Sequence, residues 1–497
     1  MALKSYANEF VSFLNASTSP YLAVESIKKL LLSSNFTEIS ERSNWSTKVK
    51  KGQSYFVTRN GSSIIAFTVG ANWKPGNSFS IVGCHTDSPT LRIKPISSNS
   101  SNGYIQVGVE CYGGGIFHTF FDRSYGISGR VMINSNDKLI PKIIQINKPI
   151  LNIPTLAIHL DRAVNQKFEF NKETHLLPIA GLENKAETLD QTKNSNNSKQ
   201  DETSQGGCSD HEQGKLSDEE FHSLQTMVQR HNKSLIDLIA KECGCEVSAI
   251  EDFELILHDT NPSTIGGIND EFIFSGRLDN LTSCFCGSQA LVRASKNIEN
   301  ESGIRLLACF DHEEIGSQSA QGADSNFIPA VVDRLSSILG TGEESIINKN
   351  HLYQSAAKSF FLSSDMAHGV HPNYALNYES KHKPGLNKGP VIKINANQRY
   401  ATNSPGILLV KKCAELVKVP LQLFVVRNDS PCGSTIGPIV CSKLGIRCLD
   451  IGNPQLSMHS IRETCGTDDV ASLVLLFESF WENFSRLEPT ILVDAVE

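Results

Sequence analysis

The chain has 497 residues, 39% hydrophobic and 20% charged, with a formal net charge of −7. That length allows two domains and a large core, and the composition excludes a disordered or fibrous chain. The acidic balance argues against a nucleic-acid partner, which calls for a basic face. Apolar runs such as VASLVLLF at 470–477 are too short to span a membrane.

The opening stretch, MALKSYANEFVSFLNAS, has no basic leader, apolar run and cleavage site in order. Tyr6, Phe10, Phe13 and Leu14 fall near helical spacing and predict an amphipathic helix. The cytoplasm is the expected location. The sequon Asn44-Trp45-Ser46 matters only in a secreted chain. The thirteen cysteines are scattered, and the C-x-C pairs Cys243/Cys245 and Cys284/Cys286 match neither zinc-finger nor redox spacing. Others, including Cys84, Cys309 and Cys448, lie in apolar runs, which predicts buried free thiols in a reducing compartment.

SFSIVGC (78–84) begins a series of buried strands. From about 96 to 175 the pattern changes. GYIQVGVECYGG, GISGRVMIN, KLIPKIIQIN and LAIHL read as short strands of an antiparallel module. The segment 183–220 is almost wholly polar and reads as a disordered insertion, its Cys208 and His211 included. Strand–helix alternation then resumes. Strands are expected at 303–310, 358–364, 421–426 and 446–452, and helices at 279–296, 404–418, 434–445 and 467–487. Near-continuous apolar strands between helices imply an α/β domain with a buried, largely parallel sheet, interrupted by a β-rich insertion. The expected division is 1–95 and 250–497 for the α/β domain and 96–249 for the insertion.

Polar residues follow almost every strand of the α/β part: His85 and Asp87, then Asp311-His312-Glu313-Glu314, Asp365 with His368, and a short loop carrying His459. Ligands bind beyond the carboxyl ends of strands in open α/β sheets, so these groups are expected to converge. Imidazoles with carboxylates and no obvious cysteine suit Zn²⁺ or a similar divalent ion. Around such ions the carboxylates no longer repel one another. Of the adjacent glutamates, one can bind metal while the other acts as general base. Taken singly, each piece has a plainer reading. Glu313-Glu314 would be a solvated acidic turn, Asp365 and Asp279 helix caps, His459 a satisfied core histidine, and Lys393 an exposed strand lysine. The joint occurrence of the imidazoles and carboxylates at strand ends and helix starts favours the site; it does not change the reading of Lys393.

GCHTDSP (83–89), YGGGIFHTFFDR (112–123), LAIHLDR (156–162), FIFSGRLDN (272–280), DHEEIGSQSAQGA (311–323), SSDMAHGVHPNY (363–374), KGPVIKINANQRYAT (388–402), CGSTIGPI (432–439) and MHSIRE (458–463) together resemble the M18 metallo-aminopeptidases. The likeness runs from about 80 to 463 and is greatest to members that remove acidic N-terminal residues. It implies two divalent ions per subunit, taken to be Zn²⁺, held by His85 and Asp365, by Glu314 and His459, and by Asp279 as a bridge. Such pairs of ions lie roughly 3.5–4 Å apart. It further implies Glu313 as general base and then acid, and Asp87 as the group orienting His85. His312 stands where the family pattern more often has asparagine, and reads as a neutral replacement.

The resemblance also implies substrate contacts at His159, His368, Lys393 and Tyr400. His159 would be offered to a neighbouring subunit's site as an oxyanion donor; by itself it would read as a half-buried histidine on an alternating strand. Lys393 would meet an acidic first side chain, since a buried lysine left unpaired penalises neutral substrates. The insertion would serve dimerisation, and the dimers would build a twelve-subunit shell open only to short peptides. The competing readings are an M18 enzyme of neutral, leucine-type specificity and a non-catalytic assembly or peptide-binding relative. A serine hydrolase at CGSTIG lacks the G-x-S-x-G elbow.

Overall fold

The computed structural model describes residues 2–183, 223–338 and 349–493. The polar segment 183–220, Glu183 apart, lies outside the described residues, and Cys208 and His211 with it. The chain divides into two compact units. The first comprises Met1–Thr90, Tyr112–Thr119 and Asn261–Glu497, the second Leu91–Cys111 and Phe120–Thr260.

The first unit is built on a nine-stranded sheet. Its spatial order is Thr37–Glu38, Ser54–Arg59, Ser63–Val69, Ile304–Phe310, Phe79–His85, Phe360–Ser364, Arg447–Gly452, Val391–Ile394 and Gln422–Val425. The four central strands, from Ile304–Phe310 to Arg447–Gly452, run parallel. Antiparallel pairings lie nearer the edges, as between Ser63–Val69 and its neighbours.

The central strands read as unbroken apolar runs because both faces are covered. Along Phe79–His85 the side chains alternate. Val82 and Cys84 join one core, with the helices Ala2–Ala16, Leu278–Ala294, Ser404–Val417 and Thr467–Leu487. Phe79 and Ile81 join the other, with Phe327–Ile338 and Ile436–Leu444. The first helix buries Phe10 and Leu14 completely, as its periodicity predicts, together with Ala7; the other two predicted residues, Tyr6 and Phe13, pack half-buried against the same core. Burial of a side chain such as Phe10 stabilises by about 1.5–3 kcal/mol. Trp481 on the last long helix donates its indole N–H to the Ser80 carbonyl at 3.0 Å and pins that helix to the sheet.

A second, five-stranded sheet in this unit orders Thr264–Gly266, Phe272–Ser275, Glu463–Gly466, Pro454–Leu456 and Ala367–His368. It carries several of the site loops.

The second unit is a closed barrel of Ile250–Asp259, Thr90–Ser101, Tyr104–Tyr112, Ile179–Leu182, Lys138–Asn152 and Ser124–Ser135. Closure removes the exposed edges that a sheet of this size would present. LAIHL is not one of its strands. Lys138–Asn152 ends before it, and His159 lies in an exposed turn rather than half-buried on an alternating strand. The run Leu156-Ala157-Ile158 leaves its large side chains at the surface, so its alternation reports no buried face.

Candidate metal centre

The strand Phe79–His85 ends on His85, which is 1% exposed. Its Nδ1 lies 3.0 Å from the Asp87 carbonyl. Donation of Nδ1–H there leaves Nε2 with its lone pair facing three carboxylates: Asp279 at 3.2 Å, Asp365 at 3.5 Å and Glu313 at 3.9 Å. His459 repeats the device. Its Nδ1 is 3.1 Å from the Gly114 carbonyl, and its Nε2 stands 3.3 Å from Glu314 and 3.5 Å from Asp279. Metal-binding histidines are oriented in this way, with one nitrogen tied to a carbonyl and the other presented to the ion. His459 holds φ at 69° and His312 at 64°, both in the left-handed region that non-glycine residues rarely occupy.

Six expected residues therefore meet within one unit of the structure: His85, Asp279, Glu313, Glu314, Asp365 and His459. Donor atoms fall within 4.8 Å of one another in the sets His85–Asp279–Asp365 and Asp279–Glu314–His459, which share Asp279. Asp279 is not a helix cap. It sits in the first turn of Leu278–Ala294 with an extended backbone, φ −82° and ψ 105°. Asp87 accepts the amides of Glu313 and Glu314, each at 3.1 Å, and the Tyr112 hydroxyl at 2.7 Å. It thus fixes the glutamate turn as well as standing 3.4 Å from His85 Nδ1.

The charges do not balance within the protein. Asp279 Oδ1, Glu314 Oε1 and Asp365 Oδ1 are buried without a hydrogen bond, a costly state for a carboxylate. Burial pushes the Glu313 carboxyl up to about 8, and the neighbouring carboxylates add to this against the pull of His85. Burial and then Asp279 push Glu314 well above the usual range. Burial alone would lower His459, but the Asp279 carboxylate outweighs it and carries the imidazole up to about 9. Asp279 goes the other way: burial would raise it, and the two histidines hold it well below the ordinary carboxylate range. An oxygen-rich set with two aligned imidazoles and unmet buried lone pairs fits a divalent cation such as zinc.

Lys393 is 2% exposed. Its Nζ lies 3.4 Å from Asp365 Oδ2, 3.1 Å from the Met366 carbonyl and 5.0 Å above the Tyr400 ring. It is thus wired to the cluster and is not an exposed strand lysine. Tyr400 is buried with it, and His368 stays exposed with its ring 5.6 Å from that of Phe424. His312 bonds Ser319 through Nδ1 at 2.9 Å and lies outside the two donor sets named above. His159 belongs to the barrel unit.

Residue-by-residue reading missed Glu463, although MHSIRE contains it. Its carboxylate is 2% exposed and accepts the backbone amides of His459 at 2.8 Å and Asp279 at 3.2 Å, and the Gln455 side chain at 3.1 Å. A carboxylate four residues beyond a candidate ligand was the available signal.

The family model "Aminopeptidase I zinc metalloprotease (M18)" matches residues 13–481. The chain belongs to the M18 aminopeptidase family. It is 58% identical over 494 residues to aspartyl aminopeptidase 4 of Saccharomyces cerevisiae, covering 98% of this chain and 96% of that one. It is 51% identical to an aspartyl aminopeptidase of Aspergillus oryzae, covering 99% and 98%. Among solved structures, a chain from the cryo-EM structure of the Ape4 and Nbr1 complex superposes with a TM-score of 0.88 at 49% identity, covering 99% of this chain and 88% of that one. The S. cerevisiae mApe1 dodecamer gives 0.81 at 27% identity, covering 99% of each. The M18 fold is therefore this chain's fold, and the M18 family brings with it a divalent-metal peptidase chemistry.

Proposed function

We propose that this M18 enzyme removes N-terminal aspartate or glutamate from short peptides at a two-ion centre. His85, Asp365 and Asp279 would hold one divalent ion, and Glu314, His459 and Asp279 the other. The observation that carries the reading is the pair of donor sets sharing Asp279; a third close set, His85–Glu313–Glu314, puts Glu313 beside both. When bound, such ions supply Lewis acidity that polarises the scissile carbonyl and acidifies a water.

The protein's own groups move the proton. Glu313 takes it from the attacking water as the oxygen–carbon bond forms, and passes it to the amine nitrogen as the carbon–nitrogen bond breaks. Its carboxylate, 3.9 Å from His85 Nε2 and beside both donor sets, is placed for both transfers. Asp87 keeps Glu313 and Glu314 in their turn, and Glu463 holds the backbones of His459 and Asp279.

Specificity rests on Lys393. An ammonium has three donors; Asp365 and Met366 are two described partners, leaving one donor for the substrate's acidic side chain, beside Tyr400. His368 would line the same pocket, and His159 would complete a neighbouring subunit's site. The names of the similar aspartyl aminopeptidases favour acidic over neutral specificity.

The same reading takes the enzyme to be a homo-oligomer, a dodecamer like the mApe1 structure, built from dimers through the barrel unit. It also places the enzyme in the cytoplasm. No helix among the described residues is long and apolar enough to cross a membrane, and the twelve described cysteines are free. Hydrolysis of peptides beginning with Asp, Glu or Leu, with and without chelator, tests it. Chelator-sensitive release of Asp and Glu is expected. Preference for Leu, or turnover indifferent to chelation, would refute it.

A further inference from the structure

Directly behind the candidate centre lies a second cluster of metal-ligating side chains with different chemistry. Successive side chains of a strand point to opposite faces. His85 presents its ring to the carboxylates, so Cys84 turns into the core on the other face. Cys309 is the register partner of Cys84 on the adjacent parallel strand Ile304–Phe310 and shares that face. The helix Leu278–Ala294 packs over it and adds Cys284. The Cys84 sulfur is 3.4 Å from that of Cys309 and 3.6 Å from that of Cys284, and all three lie within 4.8 Å of one another. All three are fully buried and none is in a disulfide.

A solitary buried cysteine is a small apolar filler. Three sulfurs brought into mutual contact from two strands and a helix are a donor set. Thiolates select soft cations such as Cu(I), whereas imidazole and carboxylate suit the harder ions of the neighbouring centre. A cation about 2.3 Å from each sulfur, the Zn–S length, would hold the sulfurs roughly 3.5–4 Å apart. The separations of 3.4 and 3.6 Å lie in or just below that range, so small side-chain rotations suffice.

We propose that Cys84, Cys284 and Cys309 form a separate soft-metal site that takes a thiophilic cation of the Cu(I) or Cd(II) class. Binding forms three metal–sulfur bonds and releases the thiol protons to solvent, with no change of oxidation state. The site is coupled to its neighbour through the backbone. Cys284 donates its S–H to the His85 carbonyl at 2.9 Å, and Cys84 directly precedes His85. Occupation removes that donor and shifts the peptide carrying His85, so a soft ion lowers turnover without displacing the ions of the centre. The site itself stands whether or not the peptidase reading holds.

Cadmium is the probe. Expression of the full chain in cadmium-supplemented medium loads the site as the chain folds, so burial is no barrier. Accessible thiols are then alkylated with iodoacetamide, and the oxygen–nitrogen centre is exchanged back to zinc. We expect about one cadmium per chain to remain, with a sulfur-to-cadmium charge-transfer band, and both to be lost in Cys309→Ala and in Cys284→Ala while zinc content is unchanged. A charge-transfer band undiminished in both variants would overturn the proposal. So would cadmium-edge absorption of the unmutated protein that shows only nitrogen and oxygen neighbours, a readout that needs no variant to fold.

Discussion

The strand Ile304–Phe310 carries buried charge at both ends, and the two ends treat it oppositely. At its start Arg305 meets Glu301 through two guanidinium nitrogens, at 2.7 and 3.1 Å, with both side chains under 5% exposed. The other oxygen of Glu301 accepts the Gly303 amide at 2.7 Å and the Ser485 hydroxyl at 2.5 Å. Every charge there has its partner. Beyond the carboxyl end, Glu313 and Glu314 join Asp279 and Asp365 around two imidazoles, and three buried carboxylate oxygens have no hydrogen bond. A buried charge that is satisfied reads as structure, and one that waits for a partner reads as function.

The largest expected effect is at Glu313. Glu313→Gln should lower turnover by at least ~10²-fold, the lower range for a lost acid–base group, while metal content measured by mass spectrometry stays unchanged. Next comes the closed end of the strand. Arg305→Met leaves Glu301 uncompensated and should cost about 3–5 kcal/mol in denaturant unfolding, with KM for an aspartyl peptide unaltered. The open end should behave in the opposite way. In chelated protein Glu314→Gln should cost far less stability than Arg305→Met, because burial already favours a neutral group there. The same variant should lose the stabilisation that zinc confers on the parent.

A pH series sharpens the contrast. In the metal-free protein Glu313 is raised to about 8 and His459 to about 9. A raised folded-state value contributes stability that is full below the unfolded value and is lost as pH rises through the folded one. Chelated protein should therefore lose stability as pH climbs from about 4.5 to 9, a window set by the unfolded glutamate value and the folded histidine one. Metal should reverse the loss, and calorimetric titration should show protons released on metal uptake. A smaller effect than at Glu313 is expected at Glu463, where Glu463→Gln removes one of two acceptors that hold His459 and Asp279. Metal affinity should fall by 10–100-fold, the usual range for a group supporting metal ligands.

Much of this was legible in the sequence, for identifiable reasons. Doubly covered strands give unbroken apolar runs, so the central strands and the loops after them could be placed. The convergence of His85, Asp365 and His459 then followed from parallel strands ending on one side of the sheet. What stayed hidden was tertiary. Barrel closure depends on pairings between strands that are more than a hundred residues apart, such as Ile256 with Arg92. Leu156-Ala157-Ile158 has the composition of a strand but pairs with no strand among the described residues. Glu463 acts through backbone amides, so only its place four residues after His459 marked it. The thiol triad depends on the register that sets Cys309 beside Cys84, and spacing along the chain does not encode it.

Anomalous diffraction at the zinc edge, from crystals of protein purified without chelator, tests the central claim most directly. The account predicts two peaks per chain, one against His85 and Asp365, the other against Glu314 and His459, both touching Asp279. A single peak elsewhere, or none at these residues in catalytically active crystals, would contradict it.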